Sequence, residues 1–178
     1  MQQEYDVQVE WRPFELHPET PRGGTQSRLA NSPGFARMLT NMQQMARQAG
    51  LPFSPPPMLS NSRCALEAAE YAREHASFEA YHLAIFRAYF QHGQDIGDWA
   101  VLMAAANEAG LDREAMRQTV EQGTYRETVE THIGEAQRLG ITAVPTFILD
   151  GLTVVGAQPY EVFRQTMARL GARSRGEP

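Results

Sequence analysis

The chain has 178 residues, of which 42% are hydrophobic and 21% charged, and a formal net charge of −5. That length suits one domain with a helical insertion and a sizeable core. The acidic balance argues against a general nucleic-acid surface, which needs a basic stripe, and no apolar run approaches the ~20 residues that span a bilayer.

The opening Met1-Gln-Gln-Glu-Tyr-Asp6 has neither the basic nor the apolar region of a signal peptide, so a cytoplasmic protein is expected. Residues 7–16 follow, with Val7, Val9 and Trp11 alternating with polar residues. This is the period of a strand, ending near Pro13. Pro18 to Asn31 is rich in Pro, Gly, Thr and Ser and reads as a loop.

A block of helices comes next. Ser32 can cap the first, with Pro33 in its opening turn, and Gly50 can stop it; Phe35, Met38, Met42, Met45 and Ala49 mark one face. Core packing is the expected use of that methionine face, ahead of an apolar groove for unfolded chains. After a Pro-rich loop, Asn61 or Ser60 can cap a second helix holding Cys64, Leu66, Ala68, Ala69 and Ala72. Ser77 opens a third, whose expected buried side is Phe78, Tyr81, Ile85, Phe86 and Tyr89. Asp98 caps a fourth with Trp99, Leu102, Ala105 and Ala106. Asp112 opens a short fifth. Thr124 opens a sixth in which Val129, Ile133, Ala136 and Leu139 recur three or four apart.

The period then changes. Thr146-Phe-Ile-Leu149 is a short strand, Asp150-Gly151 a two-residue turn and Leu152-Thr-Val-Val155 the return strand. A last helix starts after Gln158-Pro159 and uses Tyr160, Val162, Phe163, Met167 and Leu170. The tail beyond Gly171 has no apolar face, and fraying is expected.

Cys64 is the one cysteine, so no internal disulfide can form and no thiolate zinc site is expected. Cys64 reads as a small core residue about one turn into its helix. The five histidines, His17, His75, His82, His92 and His132, show no ligand spacing, and no metal is expected. Nothing suggests a Ser-His-Asp triad, a phosphate-cradling loop or a carboxylate pair.

Three stretches carry a resemblance. Val9-Glu-Trp-Arg-Pro-Phe-Glu-Leu-His-Pro18, then Asn61-Ser-Arg with its Ala-rich helix, then Gly140-Ile-Thr-Ala-Val-Pro-Thr-Phe-Ile-Leu-Asp-Gly151 with Val155-Gly-Ala-Gln158 resemble the DsbA-like oxidoreductase family, in its FrnE-like branch. The likeness runs from about Tyr5 to Leu170. It implies an α/β fold, a thioredoxin-like sheet with a large inserted helical domain. The core is expected at 1–31 and 140–178, and the insertion at 32–139. In that family a central strand and a Cys-x-x-Cys motif open the domain, and Met1 here matches a point near the end of the helix that follows. The sheet is therefore expected to be incomplete, with its first strand missing.

The resemblance implies a thiol–disulfide oxidoreductase by descent, redox-inactive as this chain because the dithiol is absent, with no catalytic residue left. A glutathione-dependent isomerase or transferase of the 2-hydroxychromene-2-carboxylate isomerase type is a second implied reading, with glutathione as its cofactor; the first reading implies none. A non-enzymatic peptide-binding module is a third. An X-Pro bond alone favours trans, whereas the resemblance implies a cis Val144–Pro145 bond that turns the N–H and C=O of Val144 toward a protein or peptide substrate. It also puts Asn61 and Gln158 near that cleft, although helix capping accounts for both. A sheet without its central strand carries unpaired edges. A homodimer with exchanged or shared N-terminal segments is expected to cover them.

Overall fold

A computed structural model describes residues 1–26 and 32–175. The end of the Pro18–Asn31 loop, residues 27–31, and the last three residues of the tail lie outside the described residues. The elements are α1 (Pro33–Gln48), α2 (Arg63–Glu74), α3 (Phe78–Phe90), α4 (Trp99–Glu108), α5 (Arg113–Glu121), α6 (Arg126–Arg138), β1 (Thr146–Leu149), β2 (Leu152–Val155) and α7 (Tyr160–Arg169). They fall into two compact units, Met1–Leu16 with His132–Pro178, and His17–Thr131. The boundaries differ from 31 and 140. The chain turns into the second unit as soon as Thr20 is buried, its carbonyl accepting a hydrogen bond from the Asn61 side chain at 2.6 Å.

The unit His17–Thr131 is a helical bundle built on small residues. Ala65, Ala68 and Ala72 of α2, Ala84 of α3, and Ala105 and Ala106 of α4 are buried, and they let the backbones approach closely. Tyr71, Tyr81, Ile85, Leu102, Met116 and Val120 fill the space between. The helix starts follow local chemistry. Ser32 Oγ accepts from Phe35 N–H, Asp98 from Ala100 N–H, and Asp112 from the N–H groups of both Glu114 and Ala115. Each satisfies donors that a helix cannot pair within itself.

Several expectations about burial fail here. α1 buries no residue, and Met38 and Met45 are exposed, so the methionine face is not core. In α3 the alanines Ala84 and Ala88 are buried beside Tyr81 and Ile85, whereas Phe86 is exposed. Phe86 joins a surface row of rings with His82 and Phe90 instead. In α6 only Val129 is buried, and Leu139 is exposed.

The other unit is thin. Its sheet has two antiparallel strands, β1 and β2. Residues 7–14 belong to no strand, so the strand expected there is absent, since a strand exists only by pairing with a neighbour. The N-terminal residues are tied down nonetheless. Tyr5 bridges Ser174, Arg175 N–H donates to the Glu4 carbonyl at 2.7 Å, and Tyr160 OH donates to the Glu4 carboxylate at 2.6 Å. The tail is thus pinned as far as Arg175, contrary to the fraying expected of it. Tyr5, Pro13, Val154 and Met167 are the buried apolar residues of this unit among those described.

Candidate functional site

The hairpin is set by its turn. Asp150 and Gly151 both take positive φ, 44° and 84°, the two-residue arrangement whose twist matches the strands it joins. The register is Thr146↔Val155, Phe147↔Val154, Ile148↔Thr153 and Leu149↔Leu152. In an antiparallel pair, opposed residues alternate between exchanging hydrogen bonds and pointing them outward. Leu149 and Leu152 close the turn, and Gly156 N–H donates to the Pro145 carbonyl at 2.8 Å. Phe147 and Val154 therefore pair inward, while Thr146 and Ile148 present N–H and C=O to the free edge of β1. Thr153 and Val155 do the same on β2.

One of these edges is partly covered. Gln158 Nε2 donates to the Val155 carbonyl at 2.9 Å, so a side chain occupies β2's outer acceptor. Among the described residues no hydrogen bond reaches the outer edge of β1. The two faces differ as well. Phe147 meets Phe163 of α7 edge to face, 4.9 Å between ring centres, and Val154 lies buried on that side. Ile148 and Val155 point the other way and are each 51% exposed.

Val144 and Pro145 enter β1 through a cis peptide bond. Val144 is 48% exposed, and Thr146 Oγ1 donates to the Ala143 carbonyl at 2.7 Å, fixing the turn just ahead of the strand. The structure thus brings Val144, Pro145 and Gln158 into one unit. Asn61 belongs to the other, where its Oδ1 accepts from Arg63 N–H at 3.1 Å at the start of α2. Its side chain is a cap and a tie to Thr20. The outward edge of β1 is one of the unpaired edges expected of a sheet without its central strand, and the register of the Asp150-Gly151 hairpin shows that Thr146 and Ile148 carry it.

Cys64 is the second residue of α2, in its first turn rather than one turn in. It is partly buried against the helical core. Burial pushes its thiol up from its ordinary pKa, and the Glu67 carboxylate adds to this, ahead of the opposing pull of Arg22. A nucleophilic thiol needs the reverse shift. Tyr81 is fully buried, and its hydroxyl has no hydrogen-bond partner among the described residues. Burial, with Cys64 as a smaller contribution, raises its pKa far above the ordinary tyrosine value. Tyr81→Phe is expected to leave stability unchanged or raise it by up to ~1 kcal/mol, since it removes a buried polar group that gains nothing. Urea unfolding of the two forms measures this, and a loss beyond 1 kcal/mol would contradict it.

Among the described residues no group of three or more His, Cys, Asp or Glu side chains could hold a metal ion. No described helix is long and apolar enough to cross a membrane.

The family model for the DSBA-like thioredoxin domain matches residues 1–168. A curated relative, the uncharacterized protein YwbO of Bacillus subtilis, is 33% identical over 167 residues, covering 92% of this chain and 82% of that one. A probable DsbA oxidoreductase from Streptomyces coelicolor superposes with a TM-score of 0.78 at 28% identity, over 94% of this chain and 77% of its own. A 2-hydroxychromene-2-carboxylate isomerase superposes with a TM-score of 0.79 at 19% identity, over 94% and 83%. That last likeness is one of fold.

Proposed function

The chain belongs to the DSBA-like thioredoxin domain family, and on that premise we propose that it is a thiol–disulfide oxidoreductase by descent that binds extended polypeptide without turning over disulfides. The observation that carries this reading is Val144, 48% exposed at the mouth of a strand with an uncovered outer edge. A peptide laid alongside gains main-chain hydrogen bonds there, in the manner of strand addition. The 28% identity with a probable DsbA oxidoreductase over 94% of this chain supports the choice of substrate class.

Redox silence follows from the sulfur chemistry. Exchange needs a thiolate to attack and a second thiol to resolve the mixed disulfide. Cys64 is the one cysteine, and its thiol is shifted away from ionisation. The isomerase reading would draw on Asn61 and Gln158 to bind glutathione. Both amides donate to backbone carbonyls, of Thr20 and Val155, and these contacts favour the first reading.

Two measurements test the proposal. Fluorescence anisotropy with a labelled, Val/Thr-rich decapeptide should report binding that Val144→Asp weakens at least tenfold; equal binding by both forms would rule this edge out. Insulin reduction with the chain present should stay at the background rate, and turnover abolished by Cys64→Ala would overturn the redox-silent reading. A third expectation concerns the thiol itself. Because burial raises its pKa, Cys64 should react with an aromatic disulfide reagent at pH 8 at least tenfold more slowly than free cysteine. It should accelerate only as pH rises past the ordinary cysteine range. Reaction at the free-cysteine rate would contradict the buried setting.

A further inference from the structure

We propose that the outer face of α3 docks a second copy of this chain, in a two-fold dimer whose α3 helices cross antiparallel about Leu83. The inference goes beyond the peptide-binding reading and does not depend on it. It uses neither the hairpin nor the N-terminal segment, and the face is built wholly within the continuous unit His17–Thr131.

The helix is apolar on both sides. All of its thirteen residues are apolar except Glu79, His82 and Arg87. Its inner side, with Tyr81, Ala84, Ile85 and Ala88 buried, packs on α2 and α4. Its outer side carries Leu83 and Phe86, 50% and 45% exposed. A helix that is apolar all round is ordinarily covered all round, whereas one side of α3 lies in water.

The relief of that side suits another helix. Side chains four residues apart line up as ridges. One ridge is Glu79, Leu83 and Arg87. The next is Phe78, His82, Phe86 and Phe90, whose rings follow one another at 5.2, 4.4 and 5.6 Å between centres. Phe53 continues the row beyond Phe90. A ridge of one helix laid in the groove between two such ridges of another is the commonest helix packing.

The charges select the occupant. Glu79 and Arg87 are both exposed and stand four residues either side of Leu83, about 6 Å each way along the axis. In an antiparallel crossing about Leu83, Glu79 of each copy meets Arg87 of the other, so both ends pair opposite charges at once. A parallel crossing would set like against like. Arg87 already holds Glu108 through Nη1 at 2.9 Å, and its planar guanidinium has further N–H donors for a second carboxylate. A patch complementary to itself under a two-fold is what an isologous interface requires. Two ridges about 18 Å long offer on the order of 500 Å² per copy, at the lower end of specific interfaces, which sets a weak dimer.

Sedimentation equilibrium of the full chain at tens of micromolar should approach twice the 19.9 kDa chain mass. Leu83→Asp, which puts two carboxylates on the two-fold, should raise the dimer Kd at least tenfold with an unchanged circular dichroism spectrum. Glu79→Arg and Arg87→Glu should each weaken self-association at least fivefold, because each sets like charges together at both ends. Mixed in equal amounts, these two variants should associate within threefold of the unmodified chain, since the arginines of one then meet the glutamates of the other. The charge variants keep the test independent of any effect of Leu83→Asp on folding. In a Cys64→Ala background, oxidised Leu83→Cys should form a disulfide-linked dimer. A monomer at all concentrations, a dimer indifferent to the charge reversals, or a mixture that fails to restore association would each overturn the proposal.

Discussion

Replacing Leu102 by alanine is expected to cost about 2–5 kcal/mol, the loss typical of emptying a well-packed leucine site. Leu102 is wholly buried in α4, inside a core cluster drawn from α2, α3, α4 and α5. The neighbours cannot collapse into the space, because many of them are alanines already at backbone-limited approach. Domains of this kind have only about 5–15 kcal/mol to lose, so the variant should unfold at markedly lower urea. Leu139→Ala is the control. Leu139 is 67% exposed, and its truncation should change stability by less than ~0.5 kcal/mol. A Leu102→Ala loss below 1 kcal/mol would show that the core is looser than described.

Gly24→Ala should also be severe, by about 2–3 kcal/mol, for a backbone reason. Gly24 has φ of +74°, and a Cβ placed there would lie 2.7 Å from the Leu59 carbonyl oxygen and 2.7 Å from Met58 Cε. The same carbonyl accepts from Thr25 N–H, and Leu59 N–H donates back to Thr25, so it cannot yield without breaking that bridge. Gly23 provides the comparison. Its φ is +87°, but nothing lies within 4 Å of its Cβ position. Gly23→Ala should cost only the conformational strain, on the order of 1 kcal/mol. Thermal melts of the pair isolate the steric part, and equal losses would show that close approach contributes nothing.

Features governed by neighbouring residues were legible in the sequence. Ser32, Asp98 and Asp112 cap the helices they were expected to cap, and Asp150-Gly151 makes the turn that its residue types demand. What periodicity cannot state is what covers an apolar face. The methionines of α1 and the Ile133–Leu139 side of α6 have the spacing of buried faces, yet none of these residues is buried, and Met38, Met45 and Leu139 are exposed. Residues 7–14 show the same limit. Alternation predicts a strand, but a strand also requires an adjacent backbone, and residues 7–14 pair with none in the described sheet. Of the candidate site, the Val144–Pro145 entry to the hairpin was readable from the resemblance. The separate employment of Asn61 and Gln158 as holders of backbone carbonyls depends on folded distances and was not.

The division of the chain has a kinetic consequence. The unit His17–Thr131 is one continuous stretch, whereas the other joins Met1–Leu16 to His132–Pro178. During synthesis the continuous bundle can fold from contacts between neighbouring helices. The split unit must wait until its C-terminal part emerges, and must then close a loop that contains the whole bundle. The closure entropy grows only logarithmically with loop length, but contacts so distant in sequence form late. Residues 1–16 therefore spend the longest interval without their final partners, and pulse-labelling hydrogen exchange should show Tyr5 protected after Leu102.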